Sequence, residues 1–378
     1  MNKWEMIQGI YIHIPFCLQK CQYCDFTSFP QVDGNQMVAY TEQLCRHINY
    51  YRKTMPINPR ATIYFGGGTP SLLPLSCLEQ IVSALKAKGM WEYPAEATIE
   101  VNPGTVTAAK LKAYRALGFD RISMGIQSLH DKELKAMGRI HNKQEAIDAL
   151  TMAKEAGFKR INGDLIFGYP GQTVASVKSS VEGLVQLGLK HISVYGLSVE
   201  KGTPLEKSIK KGSLRLPEDD AVGDMYDFIA KYLPEQGLKH YEISNFAKTG
   251  EEARHNLVYW HYLPYLGFGI GAVSFTGKER YTGPLTMKEY LAGKQAEKEK
   301  LTSAIQLEEC IFMNLRTLDG VNIEEIKERF AIDFGIKYSR EIAECEAQKL
   351  VEWAQDNKIL RLTSLGMQFG NRVFEKFM

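Results

Sequence analysis

The 378-residue chain is short of several things, and each shortage removes a class of function. No stretch approaches the ~20 consecutive apolar residues that a membrane span needs. Met1–Gly9 is short and polar, so no secretory leader is expected. The formal net charge is only +2, which exerts no global pull toward nucleic acid or anionic lipid. Cysteine is sparse, at seven residues. Cys45, Cys77, Cys310 and Cys345 are scattered through stretches of helical or near-helical pattern, where a thiol behaves as a small hydrophobe. There is no second C-x2-C pair, so a four-ligand structural zinc site lacks its framework. There is no C-x-x-C-H run for covalent heme attachment. The triple glycine Gly66-Gly67-Gly68 is not followed by Gly-Lys-Ser/Thr, so it is not a phosphate loop. Together these features point to a globular chain of a reducing compartment, with the cytoplasm as the expected location.

What is present is one dense cluster. Cys17, Cys21 and Cys24 fall within eight residues, spaced C-x3-C-x2-C. Thiolates are soft ligands that suit iron–sulfur clusters, and cluster cysteines are commonly packed into one short loop. Three closely spaced cysteines leave one unpaired, which argues against disulfides. A cube of four irons held by three thiolates keeps one iron open to another ligand. Tyr23 supplies an aromatic residue immediately before the third cysteine. C-x3-C-x-aromatic-C is the signature loop of the radical S-adenosylmethionine (SAM) enzymes, which this stretch resembles.

Around the loop a strand-then-helix rhythm recurs. Ile10–Ile14, Thr62–Phe65, Ala97–Val101, Arg121–Gly125, Arg160–Phe167 and His191–Tyr195 read as strands, each running into a glycine-rich or polar cluster. Amphipathic stretches such as Ala108–Leu117 and Gln144–Ala156 read as the intervening helices. The pattern predicts an α/β fold: a partial (β/α)6 TIM-like barrel with its site at the C-terminal strand ends. The barrel and an aromatic, glycine-rich extension are expected over 1–285. Met287–Lys300 reads as a helix-like connector. A small, mainly helical, winged-helix-like domain is expected over 286–378, with its wing near Ile359–Thr363. That segment carries 14 Lys+Arg against 16 Asp+Glu, too acidic for the basic footprint that nucleic-acid binding requires.

The resemblance extends over nearly the whole chain. Tyr11-Ile-His-Ile-Pro-Phe-Cys17, Gly66-Gly67-Gly68-Thr69-Pro70 and Asp164-Leu-Ile-Phe-Gly168 are similar to the coproporphyrinogen III oxidase-like branch of the radical SAM superfamily. Within that branch the chain looks most similar to the heme chaperones. The oxidases resemble C-x3-C-x2-C-x-C, and Phe26 stands here in place of their further cysteine. His255-Asn256-Leu-Val-Tyr259-Trp260 matches the H-N-x-x-Y-W run associated with heme in the chaperone group. Histidine is a common axial ligand to heme iron.

The resemblance implies a [4Fe–4S] cluster on Cys17, Cys21 and Cys24, with SAM chelating the open iron. It implies that Gly67, Gly68 and Thr69 approach the methionine moiety and that Glu100 accepts hydrogen bonds from ribose hydroxyls. Tyr11 and Tyr23 flank the cluster loop, and Gln127, Arg139, Asp164 and Ser198 line a further cofactor site. His255 is the implied heme ligand, with His261 a nearby competitor. His13, between apolar residues, reads as a hydrogen-bonded core histidine. Asp164 lies in an apolar strand and needs a partner, for which Arg139 is a candidate. The implied partners are heme, heme-acceptor proteins and, if SAM is cleaved, a flavodoxin- or ferredoxin-like reductant. Nucleic acid is not among them, and a membrane is met only through an acceptor. Radical decarboxylation of coproporphyrinogen III, and radical SAM chemistry on another substrate, stand as the alternatives.

Overall fold

All six strands read from the sequence form, and they lie side by side in chain order. A computed structural model describes residues 2–51 and 55–378. The strands run Ile7–Ile14, Ile57–Gly67, Ala97–Val101, Arg121–Gln127, Arg160–Phe167 and His191–Gly196, every neighbouring pair parallel. Side chains alternate strictly. Ile10, Ile12, Ile14, Ile63, Phe65, Ile99, Ile122 and Met124 point to the helices and are fully buried in one core. Each such Ile or Phe contributes roughly 1.5–3 kcal/mol on burial. The other register presents Tyr11, Tyr64, Glu100, Ser123 and Asp164 to the concave face, so the period of two separates the core set from the chemical set.

The helices begin and end on local signals. Thr107 accepts a hydrogen bond from the Lys110 amide at 3.3 Å to open Ala108–Leu117, and Gly118, at φ +112°, closes it. Asn142 and Glu145 form a capping box on Lys143–Glu155.

The sheet is wider than six strands. Tyr265–Phe268 adds a seventh parallel strand beside Ile7–Ile14, with Gly9 opposite Tyr265 and Ile12 opposite Phe268. Antiparallel strands extend both edges to give twelve among the described residues. The Met287–Lys300 segment is corrected by this: it is a short helix, Met287–Leu291, followed by the edge strand Glu297–Lys300. Every residue of Glu297-Lys-Glu-Lys300 is exposed, and its charges protect the open edge from further pairing.

A second core gathers Leu307, Ile311, Ile326, Leu360, Leu362 and Phe374, and it also takes in Tyr262 and Phe275 from before residue 286. Its helices include Ser303–Asn314, Ile323–Phe330 and Ser339–Ala347, and the wing is the antiparallel hairpin Val351–Ala354 with Ile359–Leu362. Among the described residues, no helix is long and apolar enough to cross a membrane.

Candidate functional site

The strand tips enclose a cavity of about 390 Å³, and the three clustered cysteines open into it. Their loop is held from both sides. Phe16–Cys17 pairs with Phe29–Pro30, the Gln22 amide donates to the Met137 carbonyl at 3.1 Å, and the Leu205 amide donates to the Gln22 carbonyl at 2.9 Å. The thiols do not converge on one point: among the described residues, no three His, Cys, Asp or Glu are placed to hold a single metal ion. A four-iron cluster is held by sulfurs on separate irons, so it does not require that single point. Burial pushes the Cys24 thiol up to about 11, so its thiolate requires a positive centre beside it.

Two side chains already address the sulfurs. Arg139 Nη1 donates to Cys21 Sγ at 3.4 Å, and the Thr69 hydroxyl lies 3.7 Å from Cys17 Sγ. Such hydrogen bonds are a lever on cluster potential. Arg139 Nη2 donates to the Gly125 carbonyl at 2.6 Å, while its buried Nε has no partner among the described residues. A guanidinium in the wall of a cavity fits an anionic ligand such as a carboxylate.

The glycine run is a steric requirement. Gly67 has φ +118°, and a Cβ there would stand 2.5 Å from His13 Cε1. A Cβ on Gly68 would meet the Phe16 carbonyl oxygen at 2.7 Å. These residues let the second strand's tip press against the cysteine loop. Glu100 faces them from the next strand. Its carboxylate accepts from the Gly67 amide at 3.1 Å and from the Tyr64 hydroxyl at 2.7 Å. Burial pushes its carboxyl up to about 7, against the pull of those hydrogen bonds.

Gln127 reaches the cavity through a distortion. A register shift between Gly125 and Gln127 ends the fourth strand, and Gln127 takes φ +69°. A non-glycine residue held there costs of order 1–3 kcal/mol, and such strain clusters at functional sites. Tyr23, Asp164 and Ser198 also line the cavity. The partner expected for Asp164 is corrected: its carboxylate accepts from Asn162 Nδ2 at 2.7 Å and Ser123 at 3.3 Å, not from Arg139. Tyr11 lies in an adjoining cavity of about 350 Å³ that shares Gly67, Glu100 and Phe26 with the first. Its hydroxyl bonds His13 Nδ1 at 2.9 Å. His13 Nε2 meets the Thr27 carbonyl at 2.9 Å, so Nε2 carries the proton and His13 is the core histidine expected.

His255, read from the sequence as the heme ligand, does not line this cavity. It is 1% exposed at the start of helix Arg254–Trp260. Nδ1 meets the Thr62 hydroxyl and Nε2 the Tyr259 hydroxyl, each at 2.8 Å. Thr62 donates onward to the Gln8 carbonyl at 3.3 Å, so Nδ1 bears the proton and the Nε2 lone pair is taken by Tyr259. The ring also stacks on Tyr64, with centroids 5.0 Å apart. Burial lowers its pKa to about 4, so it is neutral in ordinary buffers. Its helix is anchored from below: Glu96 accepts from the Arg254 and His255 amides at 3.0 and 3.1 Å and pairs with Arg160 at 2.9 Å. The competitor His261 is one-third exposed and engages Asp319 at 3.1 Å.

Tyr64, Ser123 and Tyr195 also line the main cavity and were missed by the sequence reading. Strand register brings them there: Tyr64 lies opposite Tyr11, Ser123 opposite Glu100, and Tyr195 two residues beyond Ser193, which faces Asp164.

Comparison with known proteins agrees with this geometry. A family model described as "Radical SAM superfamily" matches residues 11–184, and "HemN C-terminal domain" matches residues 301–369. "Heme chaperone HemW" of Lactococcus lactis is 37% identical over 97% of this chain and 96% of its own. The chain belongs to the HemW family. HemW of Bacillus subtilis is 34% identical over 98% of this chain and 99% of its own. Among solved structures, the Escherichia coli coproporphyrinogen III oxidase HemN superposes with a TM-score of 0.83, covering 99% of this chain and 90% of that one. At 21% identity that likeness speaks for the fold alone. The HemW family brings with it the [4Fe–4S] cluster and SAM, and the strand-tip cavity has the donor set for both.

Proposed function

We propose that the protein is a heme chaperone of the radical SAM type, which binds a [4Fe–4S] cluster, SAM and heme and passes heme to acceptor proteins. The observation that carries this reading is identity to heme chaperones along essentially the full chain, 37% over 97% of its length. Phe26, in place of the oxidases' additional cysteine, supports it.

In this reading Cys17, Cys21 and Cys24 hold the cluster. When bound, the cluster supplies the electron for reductive cleavage of SAM. The chain's own residues bind and shield. Gly67, Gly68 and Thr69 bring backbone and a hydroxyl to the amino-acid end of SAM. Glu100 accepts from ribose hydroxyls, and Arg139 sets a guanidinium in the cavity wall. Gln127, Asp164 and Ser198 line the remainder of the cavity, with Tyr11 and Tyr23 flanking the cluster loop. Residues 1–285 form the cofactor-binding unit, and 286–378 cover it. If SAM is cleaved, a flavodoxin- or ferredoxin-like protein is the reductant; the compartment is the cytoplasm, and membranes are met only through an acceptor.

The test is a heme titration of anaerobically reconstituted protein, followed by transfer to an apo-hemoprotein and read by absorbance. Stoichiometric binding and transfer are expected. Failure to bind heme, or vinyl-group formation from coproporphyrinogen III in a reduced, SAM-supplied assay, would overturn the reading.

A further inference from the structure

A second large cavity, of about 680 Å³, lies between helix Arg254–Trp260 and helix Ser303–Asn314. Cofactor-sized sites span ~300–1,000 Å³ and are mostly apolar with few polar groups. Tyr259 and Trp260 form one wall, Phe312 and Met313 another, and Tyr265 and Phe275 come from the adjacent strands. Tyr259 and Tyr265 meet edge to face, with ring centroids 4.7 Å apart. Ile305 and Met378 stand at the opening, 37% and 66% exposed. Arg280 is the one cation in the lining, and both of its contacts to Glu309 are under 2.8 Å.

Among the described residues, the lining holds no histidine and no cysteine. Its soft donors are the thioethers of Met313 and Met378. Two of its phenols are already engaged: the Tyr259 hydroxyl meets His255 Nε2 at 2.8 Å, and the Tyr262 hydroxyl donates to Glu309 at 2.6 Å. A flat apolar macrocycle with polar tails suits such a site: its face meets rings and its carboxylates stay at the wet opening.

Resting on the heme-carrier reading, we propose that this cavity is the seat of the heme cargo, with Tyr259, Trp260 and Phe312 contacting the macrocycle. His255 is then a positioning residue: it fixes the Tyr259 hydroxyl and binds no iron. Tyr259 also lines the 350 Å³ cavity that contains Tyr11 and Glu100. The motif's histidine and tyrosine thus act as one unit in the wall between cargo and cofactor.

The experiment compares heme titrations of wild type, Ile305→Trp, Met313→Ala and His255→Ala, all full-length and anaerobically reconstituted. Ile305→Trp fills the cavity from its partly exposed rim, and it should weaken heme binding by about tenfold or more with SAM binding and melting unchanged. Met313→Ala should weaken binding or alter the axial-ligand bands, and it serves alone if Ile305→Trp does not fold. His255→Ala should weaken binding while leaving those bands as in wild type. Wild-type affinity and spectra in both cavity variants would overturn the seat and leave the carrier function standing. Loss of nitrogen-ligand bands in His255→Ala would also overturn it. No heme uptake by wild type would instead overturn the carrier function itself.

Discussion

The strand-tip cavity and the aromatic cavity are both large and share no lining residue, yet they are built from opposite materials. The first has three thiols, four carboxylates, an ammonium and a guanidinium, with glycines where backbone must come close. The second has rings and thioethers, and its one guanidinium is already paired. Charge in a buried site must be answered by charge or hydrogen bonds, so the first cavity is poised for polar, ionic cofactors. Aromatic surface makes few demands on orientation, which suits a cargo that has to leave. Between them stands the chain Glu100–Tyr64–His255–Tyr259, linked by a hydrogen bond of 2.7 Å, a ring stack and a hydrogen bond of 2.8 Å.

The difference can be broken or sharpened by mutation. The largest effect is expected from Cys21→Ala, which should abolish cluster content, measured as iron and sulfide per chain. Heme binding should survive it, and its loss would mean that the two cavities are not independent. Next is Glu96→Ala. It strips a buried carboxylate from Arg160 and from two amides of the helix that walls the aromatic cavity, and should cost roughly 3–5 kcal/mol in denaturant unfolding. Iron content per folded chain should be unaffected.

Glu100→Gln should weaken SAM binding by about 1.5–3 kcal/mol, the worth of hydrogen bonds to a charged group, as read by calorimetry. The sign of its pH dependence follows from its raised pKa. The carboxyl is protonated below about 7, so wild-type SAM affinity should rise as pH passes upward through that value, and the variant should flatten the profile. The same shift means that Glu100's contribution to fold stability is full below its unfolded value and is lost as pH rises through about 7. The smallest effect is expected from Phe26→Ala. Phe26 is 63% exposed at the mouth shared by the cofactor cavities, so stability should change by no more than about 0.5 kcal/mol in a thermal melt.

Much of the strand-tip site was legible in the sequence because its information is local. The cysteine spacing lies in one loop, and each strand announces both its faces by alternation. Gly67 and Glu100 sit at strand ends, where a barrel carries its chemistry. Contacts remote in sequence were not legible. His255 was read from its motif as a ligand, and its burial among Thr62, Tyr64 and Glu96, 159 to 193 residues away, is recorded by no local pattern. Asp164 was given Arg139 as a partner, while the neighbouring strands supplied Ser123 and its own strand Asn162. Tyr265–Phe268 was passed over because a four-residue aromatic and glycine stretch has no period of its own. Only its docking beside Ile7–Ile14 makes it a strand.

By itself the sequence determined the six-strand order of apolar and polar faces, the three-thiol loop and the glycine run that presses against it. These are properties of neighbours along the chain, set by backbone sterics and a period of two. Tertiary structure alone decided which lone pairs remained free. It spent both nitrogens of His255 on Thr62 and Tyr259, left Arg139 Nε unpaired, and closed an aromatic cavity between segments about fifty residues apart. Hydrogen-bond satisfaction and enclosure depend on what packs alongside, and no local pattern records that.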